Sequence, residues 1–188
     1  MKKLKSIAFL LVIALSTLAT AQTKKVDASK SSINWVGKKV TGQHSGTINI
    51  KEATLVFDGQ KLTAGTFTVD MPSITVTDLK AGDGKEDLEG HLKADDFFGT
   101  EKHPTSTLVF KTIATKGNDL YNVTADLTIK GKTNPITFDI LVKGNTATAT
   151  LKVDRTKYDI KYKSGSFFDG LGNKVIYDDF ELTVKLKF

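Results

Sequence analysis

The residues of this chain with chemistry to offer are three histidines, two Asp-Asp pairs, one arginine and two Phe-Phe dipeptides. A metal centre needs ligands that converge on one ion, usually from recognisable spacings. His44, His91 and His103 fall in a turn, a predicted helix and a loop, and no His-x-x-x-His pair occurs, so no metal site is expected. Asp178 and Asp179 are neighbours on a predicted strand, face opposite ways and do not readily share a proton. Asp178 interrupts an apolar alternation and therefore points inward or sits at a rim. A carboxylate there needs a partner, and Arg155 or a nearby lysine can serve. A structural contact and a ligand contact both fit this position. Asp95 and Asp96 read as helix-end residues. Neither G-x-S-x-G nor S-x-x-K is present, and neither is a P-loop or a G-x-G-x-x-G fingerprint. With no cysteine, thiol chemistry and thiolate metal sites are excluded. No catalytic residue is assigned, and the chain is not read as an enzyme.

The aromatic residues have more to say. Phe97-Phe98 follows the predicted helix, and Phe167-Phe168 lies in a glycine-rich loop. Adjacent phenylalanines at a helix end or in a loop do not easily both enter one compact core. They suit either a hydrophobic plug on the end of a barrel or a greasy portal through which an apolar ligand enters.

The elements that position these residues are written in the apolar pattern. From Leu120 to Asp154 apolar and polar residues alternate almost without error: Tyr121, Val123, Ala125, Leu127, Ile129, then Ile136, Phe138, Ile140, Val142, then Ala147, Ala149, Leu151, Val153. A period of two gives a strand one dry face and one wet face. Strands are predicted over 31–39, 47–57 (bent near Glu52), 62–71 and 108–113, through the alternating block, and over 176–188. Pro72 interrupts the third. Thr23 to Lys30 reads as a loose lead-in, 39–46 and 131–135 as loops, and Gly144-Asn145 as a two-residue hairpin turn. Lys85 to Phe97, with Leu88, Leu92 and Phe97 at near-helical spacing, predicts one helix of about three turns. Eight or nine strands with short turns favour closure into an antiparallel barrel over an open sheet.

The chain opens with Lys2, Lys3 and Lys5, an apolar run from Ile7 to Leu15, and Ala19-Thr20-Ala21. This is the pattern of a secretory signal peptide over 1–21, cleaved near Ala21, and the run is too short for a convincing membrane span. Residues 22–188 are expected to form one domain, in the periplasm or secreted, with no stable membrane span in the mature chain. That part carries 24 basic and 21 acidic residues, a net charge of +3. Arg155 is its only arginine, so nucleic-acid binding, which uses clustered Arg and stacking aromatics, is excluded. A homodimer is compatible with the sequence, but no surface pattern demands one.

Several segments together resemble one family. They are Trp35, His44-Ser45-Gly46, His91-Leu92-Lys93-Ala94-Asp95-Asp96-Phe97-Phe98, Lys102-His103-Pro104, and Leu127-Thr128-Ile129-Lys130-Gly131-Lys132-Thr133-Asn134-Pro135. In order and spacing they are similar to the YceI-like, polyisoprenoid-binding secreted proteins. The resemblance implies an all-β, lipocalin-like, eight-stranded antiparallel barrel with one short helix and a long apolar tunnel. It implies an isoprenoid ligand, a quinone or polyprenyl phosphate, and no required cofactor. Many relatives follow Arg with Asp-Phe-Gly-Ile; here Asp159 stands where that pattern has glycine. The loop from Gly165 to Gly172 resembles that of Bacteroidetes-type members, which makes menaquinone the quinone to consider. The inward sets make Trp35, Phe67, Phe110, Val123, Leu127, Phe138, Ile140, Leu151, Phe180 and Leu182 the candidate wall. His44, Phe97, Phe98, Arg155, Phe167 and Phe168 are the candidate mouth. Two other readings are a barrel filled by its own side chains that serves a structural or partner-binding role, and, less favoured, a lipid-modifying enzyme.

Overall fold

The computed structural model describes residues 21–188, so all but the last residue of the expected signal peptide lies outside the described residues. The described residues form nine strands: β1 (Ala21–Lys25), β2 (Ser32–Lys39), β3 (Gly42–Asp58), β4 (Lys61–Val76), β5 (Thr105–Gly117), β6 (Leu120–Ile129), β7 (Lys132–Lys143), β8 (Thr146–Asp154) and β9 (Ile176–Lys187). One helix, α1 (Lys85–Lys93), lies between β4 and β5. Around the ring the order is β3-β2-β9-β8-β7-β6-β5-β4, and β4 pairs back with β3. The result is the closed, eight-stranded antiparallel, lipocalin-like barrel that was expected.

The strand at β1 differs from the sequence expectation, which has a loose lead-in there. β3 is 17 residues long and outruns β2, which accompanies it only as far as Ile48. β1 covers the edge left over, pairing Ala21–Lys25 with Thr54–Asp58. The expected loose lead-in is thus a strand followed by a 3-10 turn at Ala28–Lys30, because an uncovered stretch of ladder offers polar backbone groups that a neighbouring chain can satisfy.

Other boundaries also moved. The 39–46 loop shrinks to the Val40-Thr41 tip, and 131–135 is not a loop: Lys130-Gly131 is a two-residue turn with positive φ at both positions, and Pro135 sits inside β7. Pro135 is tolerated because β7 pairs with β8 only over Ile140–Lys143, so no partner asks for an amide proton there. Pro72 likewise does not end β4. It lies where the β3–β4 register shifts, and the Ser73 hydroxyl accepts from the Asn49 amide. β3 bends as expected, with a register shift between Ile50 and Glu52.

α1 has nine residues and is shorter than predicted. Glu86 and Asp87 occupy its first turn and His91 and Lys93 its last, an order that suits the helix dipole. It stops at Ala94, and the next turn is closed by hydrogen bonds from the Gly99 amide to Ala94 O and from the Phe98 amide to Leu92 O. A continued helix would turn Phe97 and Phe98 about 100° apart. The break lets both rings enter the barrel end, where they meet edge to face at 5.2 Å. Glu89 ties the helix to the sheet by accepting from the Val76 amide at 2.8 Å.

Two glycines set how closely the wall folds on itself. Trp35 lies across its strand partner Gly46, and its indole N–H donates to Thr75 O at 3.2 Å. A Cβ at Gly46 would stand 1.8 Å from that carbonyl oxygen and 2.6 Å from the indole. A Cβ at Gly65 would stand 2.5 Å from the Phe110 ring. Neither clash is with the free end of a flexible side chain. Gly46→Ala should therefore lower stability by about 1–3 kcal/mol, read as the urea midpoint, with a matching change in Trp35 fluorescence.

Candidate functional site

The barrel is solid at one end and hollow over the rest. Leu55, Leu62 and Val123 are fully buried, and with Phe57, Tyr121, Val142 and Ala147 they fill the end near the β3–β4 turn. Beyond them the rings of Phe67, Phe110 and Phe138 pack in a chain with centroids 5.6 and 5.9 Å apart. These rings border a cavity of about 170 Å³. Its wall includes Ile33, Trp35, Leu127, Ile140, Leu151, Phe180 and Leu182 and is almost entirely apolar. Phe180, Leu182 and Val184 point inward yet remain partly accessible, as side chains facing empty space must. On β9 the lining runs from Ile176 to Leu186.

The turn after α1 closes the other end. Leu92, Phe97 and Phe98 line the cavity, and Phe98 meets Phe180 edge to face at 6.3 Å. The expectation that adjacent phenylalanines would not share a core fails for this pair, because the helix stops between Leu92 and Phe97. The cavity reaches the surface beside it, where Gly37, Tyr177 and Asp179 contribute lining. The β2–β9 ladder is irregular here, with Gly37 opposite Phe180 but Lys39 opposite Ile176. The bulge leaves Tyr177 half exposed at the rim.

Arg155 organises this end. Its side chain is 3% exposed. Nε donates to Tyr177 O at 3.1 Å, Nη1 to Ile160 O at 2.8 Å and Nη2 to Ile176 O at 2.9 Å. Its guanidinium lies 5.9 Å from the Phe97 ring centre and 3.5 Å from Asp178 Oδ1. Burial pulls the guanidinium below its usual pKa range, and Asp178 and Asp154 oppose that. Asp178 takes a hydrogen bond from the Ser166 hydroxyl at 2.6 Å. Three of the five Arg155 donors are thus committed to backbone carbonyls, which leaves little for a ligand. Asp159, where the family pattern has glycine, adopts φ 62° and ψ 32°. Aspartate tolerates this left-handed geometry better than most residues, so the corner keeps its shape. Beside it, burial pushes the Tyr158 phenol up to about 12.

Of the candidate wall residues, all but Val123 line the cavity; Val123 belongs to the solid end. The structure separates the candidate mouth residues. Phe97, Phe98 and Arg155 line the cavity, whereas His44, Phe167 and Phe168 do not. His44 Nδ1 is 2.9 Å from Asp78 Oδ2, and the Ser45 amide donates to the other oxygen of the same carboxylate, so His44 serves the β3 surface. Phe167 and Phe168 are 49% and 50% exposed on the outside. The sequence reading missed Met71, Ile74, Tyr177 and Asp179. Met71 and Ile74 flank Pro72 inside the register shift of β4, where period-two counting loses its phase. Tyr177 and Asp179 sit in the β9 irregularity.

A family model, the YceI-like domain, matches residues 25–188. The chain is 28% identical over 99 residues to Protein YceI of Escherichia coli, covering 53% of this chain and 49% of that protein. It is 33% identical over 92 residues to a UPF0312 protein of Shewanella denitrificans, covering 49% and 46%. These matches span about half the length of the curated relatives. Among solved structures, BcnA of Burkholderia cenocepacia superposes with a TM-score of 0.68 at 26% identity, covering 86% of this chain and 98% of that one. A polyisoprenoid-binding domain from Saccharophagus degradans, implicated in plant cell wall breakdown, gives 0.58 at 14% identity, over 86% and 95%, a likeness of fold.

Two predictions follow from the geometry. Arg155→Met keeps bulk but strands three buried carbonyls, and should cost about 3 kcal/mol or more, a fall of roughly 10 °C in the melting midpoint. Leu151→Ala in the hollow should cost ~1–2 kcal/mol less than Leu55→Ala in the solid end, since its side chain has fewer neighbours to lose; chemical denaturation of both compares them.

Proposed function

Since this chain belongs to the YceI-like domain family and carries a long apolar hollow, we propose that it is a binding protein for an isoprenoid lipid, held tail-first in the barrel. The observation that carries this reading is the hollow itself: inward side chains on β9 stay partly accessible along a wall almost free of polar groups. Water drives a prenyl tail into such a space. Each methylene transferred contributes ~0.8 kcal/mol; a cavity of about 170 Å³ is close in size to one that holds a benzene ring, so roughly six carbons give on the order of 5 kcal/mol before the cost of ordering the tail.

The headgroup of this ligand lies at the Gly37–Tyr177–Asp179 opening. Asp178 and Asp179 stand there, Arg155 is bonded to backbone carbonyls, and the Lys152 amine is 2.8 Å from Asp179. No surplus positive charge lines the cavity to receive a phosphate. We therefore favour an uncharged quinone headgroup over a polyprenyl phosphate, with menaquinone as the first candidate. The protein works in the periplasm or outside the cell, after cleavage near Ala21. No step of this reading requires catalysis.

Solvent extraction of gently purified native protein, followed by mass spectrometry, should release a prenylated quinone. Repeated recovery of empty protein that takes up neither menaquinone nor polyprenyl phosphate would overturn the proposal. Leu151→Trp, which fills the hollow opposite Leu182, should weaken menaquinone binding at least tenfold, while near-native circular dichroism shows that the barrel is intact.

A further inference from the structure

The barrel end that carries the cavity opening also carries every residue of a second, external feature. Among the described residues, the exposed large hydrophobic side chains are Val40, Val109, Phe167, Phe168 and Tyr177, and four of these five belong to one end. The chain contacts there are explicit. The Val40 amide donates to Val175 O, the Ile176 amide to Lys163 O, and the Phe167 and Phe168 amides to Ser164 O. Ser166 bonds to Asp178, next to Tyr177. The β2–β3 tip, the 164–175 loop and the start of β9 are thus stitched into one face. Two half-exposed phenylalanines, a tyrosine and a valine project from it, bordering the opening at Tyr177.

The charge on this face is basic. Lys38 and Lys161 pair with Glu181 and Asp159. Lys39, Lys163 and Lys174 stand in no ion pair among the described residues. The acids at this end are largely occupied: Asp179 by Lys152, Asp178 by Ser166 and Arg155, and Asp159 by Lys161. Asp169, in the loop, and Asp83 and Asp87, at the start of α1, stand in no ion pair among the described residues. Lys161 lies 4.9 Å from the Phe167 ring centre and Lys163 5.0 Å from that of Tyr162, so cations and rings are interleaved. Aromatic rings that are apolar on one side and flanked by ammonium groups suit the headgroup layer of an anionic bilayer, where rings sit at the boundary and lysines meet phosphates.

We propose that this face docks on the surface of an anionic lipid bilayer and sets the cavity opening against it. The idea rests on the carrier reading only for its purpose, the transfer of a lipid between membrane and barrel; the docking stands on the face alone. Phe167-Phe168 has no part in the cavity wall and is free to insert. The lysines act outside the cavity, so they attract the membrane without placing charge in the ligand's path.

Co-sedimentation with vesicles tests it. The full mature protein should bind vesicles of equal parts phosphatidylglycerol and phosphatidylcholine, and bind pure phosphatidylcholine at least tenfold more weakly. Binding should also weaken as salt rises. Lys163→Glu with Lys174→Glu should weaken it roughly twenty-five-fold or more, about fivefold for each lysine lost. Phe167→Ala with Phe168→Ala should weaken it at least tenfold; both positions are exposed, so the fold should survive. No vesicle binding, or equal binding to both compositions, overturns the proposal. So does a dimer that the Phe changes dissociate while vesicle binding stays intact, which would assign the face to a second copy of the chain. Loading with menaquinone from detergent micelles keeps the two readings apart. Quinone uptake without vesicle binding removes the docking alone. Vesicle binding without quinone uptake keeps the docking and removes the carrier reading.

Discussion

Ring closure is the constraint on which the other features depend. Once β4 pairs back onto β3, each of the eight ring strands has hydrogen-bonded neighbours on both sides over part of its length, and each inward side chain has only the barrel interior to occupy. An eight-stranded ring is about wide enough for its own side chains to fill, or to hold one ligand. Which outcome holds at each level depends on side-chain size and on how closely the walls approach. Near the β3–β4 turn, Leu55, Phe57, Leu62 and Tyr121 are buried and fill the interior. Beyond Phe67, Phe110 and Phe138 the side chains do not reach one another, and the centre stays empty.

An empty centre needs firm ends, and two devices supply them. The turn after α1 folds Phe97 and Phe98 over the barrel, and Arg155 ties the last turns to β9 through three carbonyls. A buried guanidinium is costly unless its donors are used, and here its work is structural: it fixes the segment from which Tyr177 and Asp179 border the opening. The cost of burying this charge is thereby tied to the shape of the opening.

The two Phe-Phe dipeptides share a composition and have opposite fates. Phe97-Phe98 follows a helix that is anchored to β4 by Glu89, and its only dry neighbour is the barrel end. Phe167-Phe168 sits on a loop whose backbone is held by Ser164, and both rings stay half exposed. The first pair becomes wall and the second becomes surface. Together they give one end of the molecule a greasy interior and a greasy exterior on either side of the same opening.

The sequence alone determined the strands, the barrel class and most of the cavity wall, because a period of two is a local property that any half-buried strand must show. Trp35, Phe138, Leu151 and Leu182 could be read in that way. It could not determine β1, since Ala21–Lys25 has no apolar rhythm and is a strand only because β3 outlasts β2. Nor could it separate Val123 from Leu127: both face inward, and only the level at which the ring is filled distinguishes core from wall. His44, Arg155 and the two Phe pairs were legible as unusual residues but not as roles. Their roles depend on partners such as Asp78, Ile160, Ile176 and Phe180, which lie up to 82 positions away in the chain and meet them only when the barrel closes.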